Sequence, residues 1–279
     1  MISLLLCAAL AALPGQVTES SPHYDLEQLY GAGKNEEGLA TARQRIAANP
    51  DDADAYWLAV RFMYEIGELM QDASTSEKIA HYTEMGALAN KGLELRPDDP
   101  HLRFARGLAS ARLGTTKGVL SSLFLARSVE GDWLFAANSG FQYASLESKE
   151  VLPADVYQAL GVFYRLVPDW WVVQVVAGTR GDLDKSHDYL QKAAASRPNI
   201  PILKELGVTQ LCLFTKNDDQ AMHDKGQANL DKALAMPPQN EKHRIDHKHI
   251  KMLKADPKMA CEYSRDGQQD LDKKKMAKD

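Results

Sequence analysis

The chain has 279 residues, 44% of them hydrophobic and 25% charged, with a formal net charge of −5 at neutral pH. This is ordinary globular composition, long enough for a large core or a solenoid. The acidic balance argues against nucleic acid as the main partner, because a phosphate backbone selects basic surfaces.

From Ile2 to Leu13 the sequence is apolar, with small residues at Ala9 and Ala11. Such a run is too short to span a bilayer but fits the hydrophobic region of a secretory signal, so residues 1–16 are expected to be a signal peptide. The mature chain would then be exported, to a periplasm or beyond. No lysine or arginine precedes the run, and Leu6 makes a poor lipidation box before Cys7. Cleavage would leave Cys212 and Cys261. Sequence alone cannot place them within bonding distance, and two unpaired thiols is the simpler expectation.

Four later segments end alike, at Pro50, Pro97, Pro198 and Pro238. Four residues before each proline stand Ile46, Leu93, Ala194 and Leu234; eight before stand Ala42, Ala89, Leu190 and Leu230; twelve before stand Gly38, Met85, Ser186 and Gly226. Steps of four keep residues on one helix face, so each segment reads as a helix with an apolar seam containing small residues. The proline restrains its predecessor, donates no hydrogen bond and ends the helix. The stretches after these prolines, "ADAYWLAVRFMYEIGEL", "HLRFARGLASARLG" and "ILKELGVTQLCLF", and the stretch "DVYQALGVFYRLV", carry apolar residues three and four apart. They too read as helices.

Tyr157, Leu160, Gly161 and Tyr164, and again Leu203, Leu206 and Gly207, resemble the tetratricopeptide repeat. In that family a helix with an aromatic-x-x-Leu-Gly-x-x-Tyr pattern packs on a second helix ending in proline. The prolines are spaced 47, 101 and 40 residues apart, against about 34 in that family; Arg45 and Gly92 stand where alanine is expected. The resemblance implies an all-α fold: about a dozen helices in antiparallel pairs stacked as a tetratricopeptide-like α-solenoid over residues 22–254. In the long central step, "GVLSSLFLARSVE" and "DWLFAANSGFQYASLESK" are the expected helices.

Between the helix ending near Val167 and the one starting at Asp182 lies an insertion, residues 168–181. Pro168 marks the break and Asp182 is the expected N-cap. The apolar stretch from Trp170 to Ala177 is too short to cross a membrane and has no partner strand in sight. It reads as a short helix or extended plug against the stack, either a lid on the core or part of a groove for an apolar ligand. Adjacent indoles cannot both point one way, so one of Trp170 and Trp171 should enter the core while the other borders a groove. "RGD" at Arg180 to Asp182 reads as turn and cap chemistry rather than an adhesion motif.

"GAGKNEEG", Gly31 to Gly38, lacks phosphate-loop spacing and reads as a turn between helices. No catalytic triad order or nucleotide fingerprint stands out, and no cofactor is expected. His243 and His247 are four apart as two metal ligands require, but no third ligand accompanies them. Ile245, His249, Met252 and Leu253 read as the apolar face, turning His243 and His247 to solvent. Residues 255–279 lack helical periodicity and end in a basic tail.

The leading expectation is therefore a non-enzymatic repeat protein that binds a protein or peptide partner. By the repeat pattern the exposed positions of the first helices are Tyr56, Val60, Gln158, Val162, Arg165, Lys204 and Val208, joined by Trp170 and Trp171. The degenerate repeats, the apolar N-terminus and "VPDWW…AGTRGDLDKSHDYLQKA" also resemble the T-component proteins of bacterial TRAP transporters. That likeness implies an accessory protein associating with a periplasmic solute-binding subunit, the tryptophan insertion lying near a hydrophobic passage. The alternative is an enzyme in which Tyr157, Arg165, Asp169 and His187 converge near the insertion.

Overall fold

Capping residues and apolar seams set the architecture of the computed structural model, which describes residues 15–265. Its helices in chain order are α1 (Tyr24–Gly31), α2 (Asn35–Ala48), α3 (Ala53–Gly67), α4 (Thr75–Leu95), α5 (Pro100–Lys117), α6 (Leu123–Asn138), α7 (Ala154–Leu166), α8 (Trp171–Ala177), α9 (Leu183–Ser196), α10 (Ile200–Asn217), α11 (Gln220–Ala235) and α12 (Glu241–Ala255). Side chains of Asp52, Asp99, Asp182, Asn199, Asp219 and Asn240 each accept backbone N–H bonds at a helix start, and Ser74 with Glu77 forms a reciprocal capping box on α4. These caps satisfy donors that a helix start leaves without a partner. The expected signal segment lies outside the described residues, apart from Gly15 and Gln16. No described helix is long and apolar enough to cross a membrane.

The proline-aligned seams pack as their spacing predicts. Ala42, Ala89, Leu190 and Leu230 are all buried, as are Gly38, Met85, Ser186 and Gly226 one turn earlier. Close approach explains the small residues. A Cβ on Gly161 of α7 would lie 2.4 Å from Leu190 Cγ on α9, and one on Gly207 of α10 would lie 2.8 Å from Leu230 on α11. Helix pairs α2–α3, α4–α5, α7–α9 and α10–α11 thus stack into the all-α solenoid that the resemblance implies.

The central step folds differently from expectation. α6 is a single helix running through Gly131, where two segments were expected to form separate helices. After it comes a short antiparallel hairpin, β1 (Tyr143–Ala144) with β2 (Val151–Leu152), in which Tyr143 faces Leu152. Gly140, with φ of 73°, turns the chain out of α6. The hairpin loop carries Lys149 and Glu150 back towards α1 and α3.

Two further corrections lie at the C-terminal end. Cys212 and Cys261 form a disulfide with a Cα–Cα distance of 4.6 Å, tying the short helical turn Pro257–Cys261 to α10. Sequence separation hid the pairing. The buried face of α12 consists of Asp246, Ile250 and Leu253, while Met252 is exposed. A buried aspartate misleads any reading of that helix by hydropathy; Lys204 is what holds it there, with Nζ 2.6 Å from Asp246 Oδ1.

Two ion-pair contacts then join the last unit to α3. Lys242 of α12 reaches Glu65, and Arg265 reaches Glu68. A solenoid whose repeats touch only their neighbours has open ends; here side chains from its two ends meet.

Candidate functional site

α3, α5, α6, α7, α10, α12, the hairpin loop and Arg265 line a chamber of about 800 Å³ that opens to solvent. Its walls differ in chemistry. Phe104, Leu108, Val129, Trp133, Val162 and Phe163 make the α5–α7 wall apolar. Trp133 is fixed by donating from Nε1 to the Phe104 carbonyl at 3.3 Å, and a Cβ on Gly107 would lie 2.2 Å from the same nitrogen.

Towards α3 and the hairpin, the wall is a buried polar network. Arg61 Nη1 donates to Tyr143 Oη at 2.6 Å, and that hydroxyl donates to Glu27 Oε1 at 2.7 Å. Arg61 also pairs with Glu150, whose other oxygen meets His101 Nε2 at 3.3 Å. Burial opposes ionisation of Glu150, but His101 and Arg61 outweigh it and hold the carboxyl below its ordinary range. His101 stacks on Trp57 with ring centroids 3.8 Å apart. Beside this network burial pushes Asp155 up to about 6, against the opposing pull of Arg197, which donates to it at 2.9 Å.

The second polar cluster joins α7, α10, α12 and the C-terminal segment. Arg165 donates to the Tyr263 carbonyl at 2.6 Å and to Glu205 at 2.5 Å. Lys204 bridges Glu205 and Asp246. Burial works against the charges of Glu205 and Asp246, yet both stay below their ordinary pKa because Lys204 faces both. Further along, burial would raise the Glu68 pKa, but Arg112 and then Arg265 prevail and hold it down at about 2. Four buried polar atoms along this cluster have no hydrogen-bond partner among the described residues: Arg165 Nε, Arg265 Nη2, Asp246 Oδ2 and Glu68 Oε1, the last in an ion pair with Arg112 Nε at 3.1 Å. A buried polar group without a partner costs about 1–3 kcal/mol, a strain this cluster carries behind the chamber wall, because these atoms are sealed from solvent.

Of the residues expected to form a binding face, Val60, Gln158, Val162, Arg165 and Lys204 do line this chamber. Tyr56 and Val208 do not. Both are buried in packing, and Tyr56 donates its hydroxyl to the Pro50 carbonyl at 3.1 Å. Arg165 and Lys204 are buried as well, by virtue of their carboxylate partners rather than by facing solvent. Trp170 lines a smaller cleft with Val119, Leu120, Pro168 and Lys216. Neither indole enters the core: Trp170 is 36% exposed and Trp171 74%. Val173 and Ala177 anchor α8 instead.

The four residues expected to converge as an enzyme site are dispersed. Tyr157 stacks on Tyr189, Asp169 pairs with Arg180 at the surface, and His187 meets Gln210 at 3.2 Å. The three histidines of α12 are each half-buried and hydrogen-bonded within the protein: His243 to the Gln239 N–H, His247 to the Ala233 carbonyl and His249 to the Tyr263 hydroxyl. His243 and His247 therefore do not face solvent as the hydropathy of α12 suggested. His23, Asp52 and Asp54 lie close enough together to present three ligand atoms. Arg45 and Arg96 already bond His23 and Asp54 there, which makes the group an ion-pair cluster.

The chamber's hairpin residues Lys149 and Glu150, with Tyr143 behind them, together with Asp246 and Arg265, were not legible in the sequence. Their partners lie far away along the chain, and no local spacing announces them. No protein-family model matches this chain, and no curated protein matches it. Among solved structures it is similar to a thermophilic tetratricopeptide-repeat protein of Thermus thermophilus, at 18% identity and a TM-score of 0.49, over 82% of this chain and 96% of that one.

Proposed function

We propose that this helical-repeat chain is a non-enzymatic binding protein whose chamber receives a peptide segment of a protein partner. The carrying observation is the pairing, in one chamber, of an apolar wall on α5–α7 with accessible polar side chains, Glu65, Gln158, Asn240 and Lys242. A peptide amide offers both a carbonyl and an N–H to side chains of that kind. Apolar side chains of the same segment would cover Phe104, Leu108 and Val162. The volume suits a few residues of extended chain.

On the resemblance to T-component proteins, the partner is a periplasmic solute-binding subunit and the chain is an exported transporter accessory. The disulfide supports an oxidising compartment, where such bonds persist. An apolar small molecule in the same chamber is the alternative occupant, and it matches only the apolar wall.

The test places a photo-crosslinking amino acid at Gln158 in the full chain and irradiates it with the candidate subunit present. Crosslinks to one segment of the partner, abolished when Val162→Trp fills the chamber, are the expected result. Crosslinks that form equally in the filled variant, or only from a probe at the exposed Lys248, would overturn it.

A further inference from the structure

Helix α8 is apolar at every position except Gln174. Val173 and Ala177, one turn apart, press it against α6. Its other face carries Trp171, Val175 and Val176, at 74%, 71% and 68% exposed, with Val172 and Trp170 beside them. Five of the eleven large apolar side chains exposed among the described residues thus sit in one seven-residue stretch. Scattered exposed hydrophobics need no explanation, but a contiguous face does.

Two cations flank that face. Arg127 of α6 lies against the C-terminal end of α8, its Cδ 2.9 Å from where a Gly178 Cβ would stand. Lys216 of α10 shares the small cleft with Trp170 at the other end. Neither forms an ion pair with any described carboxylate, although the chain as a whole carries a net charge of −5. Phe124, one turn beyond Leu120 of the same cleft, is exposed too.

Area decides between occupants. A stable protein dimer buries about 800 Å² per partner, more than one face of a two-turn helix offers. A bilayer interface asks less: an apolar face that sinks roughly 5–10 Å among headgroups, tryptophan at the boundary and basic residues at the rim. We infer that the exposed apolar face of α8, between Arg127 and Lys216, docks the protein on an anionic lipid surface. Tryptophan and valine enter the headgroup region while the two cations meet lipid phosphates. No membrane-spanning element is needed.

The test uses the full chain with the N-terminal apolar segment removed, so that α8 is the exposed apolar element under trial, and phosphatidylcholine vesicles with and without phosphatidylglycerol. The chain should sediment with the anionic vesicles and dissociate as salt rises, and brominated lipid should quench its tryptophan emission. Trp171→Ser should lower partitioning about tenfold or more without shifting Tm. The double change Val175→Ser, Val176→Ser should do the same. Arg127→Gln with Lys216→Gln should remove the preference for anionic vesicles. Val162→Trp should leave partitioning unchanged, which separates this inference from the chamber reading. Absence of vesicle binding overturns the proposal. So does concentration-dependent self-association abolished by Trp171→Ser, which would make the face an interface between copies.

Discussion

Lys242 Nζ stands 3.0 and 2.9 Å from the two carboxylate oxygens of Glu65, across 177 residues of sequence. The pair is partly buried on both sides and links α12 to α3. Lys242→Met should therefore loosen the last unit. A value between exposed and buried pairs is expected, about 1–3 kcal/mol of unfolding free energy. Hydrogen exchange should accelerate in α12 well before it does in α5. Unchanged exchange in α12 would show that the contact contributes nothing.

Acid should act on the neighbouring contact. Glu68 has a folded pKa of about 2, below its ordinary 4.5, because Arg112 and Arg265 outweigh its burial. A depressed carboxyl pKa stabilises the fold above the unfolded value, and that stabilisation is lost as pH falls through the folded one. Glu68 should thus contribute fully above about pH 5 and progressively less from there down to about pH 2. Denaturant titrations across that window should show the loss, with a shallower slope in Glu68→Gln.

Glycines at two positions predict opposite signs. Gly161→Ala forces a methyl to within 2.4 Å of Leu190 Cγ, so it should cost about 1–3 kcal/mol. Gly131, inside α6, has nothing within 4 Å of its would-be Cβ. Gly131→Ala should stabilise by about 0.5–1 kcal/mol through helix propensity and lost unfolded-state freedom. Thermal denaturation of the two variants side by side checks both.

Removing the disulfide should also be costly. Cys212 and Cys261 close a segment of 49 residues, and the chain-entropy account gives about 4 kcal/mol for a loop of that size. The double change to alanine should lower Tm and speed exchange around Tyr263, whose carbonyl holds Arg165.

Much of the helical frame was legible because its causes are local. Positions eight before each proline, Ala42, Ala89, Leu190 and Leu230, announce their burial by spacing alone. Asp182 announces its cap by standing before an apolar-periodic run. The chamber was legible only in part. Val60, Gln158 and Val162 follow from the repeat frame, but Tyr56 and Val208 do not line the chamber, although each stands one turn from a residue that does, Val60 on α3 and Lys204 on α10. Residues four apart share a helix face, so periodicity marks the face but not where along it packing against a neighbouring helix replaces the open cavity. Asp246 reads as a polar surface residue until Lys204, 42 positions away, accounts for its burial. Glu150 likewise needs Arg61 and His101. Periodicity carries no information about partners of that kind.

Closure of the helical stack has a consequence for how the chain is made. Glu68 meets Arg265 across 197 residues of sequence. At about 5–20 residues per second, a ribosome needs roughly 10–40 s to travel between them. During that interval α3 and α4 can pair, since their contacts are already available, but the carboxylate of Glu68 has only Arg112 to receive it. The guest chamber therefore cannot be completed one repeat at a time as an open solenoid can. It forms when the last helix and the segment after it arrive, Lys242 closing on Glu65 and Arg265 on Glu68, which makes a chain truncated before α12 an open run of helices rather than a shorter version of the same vessel.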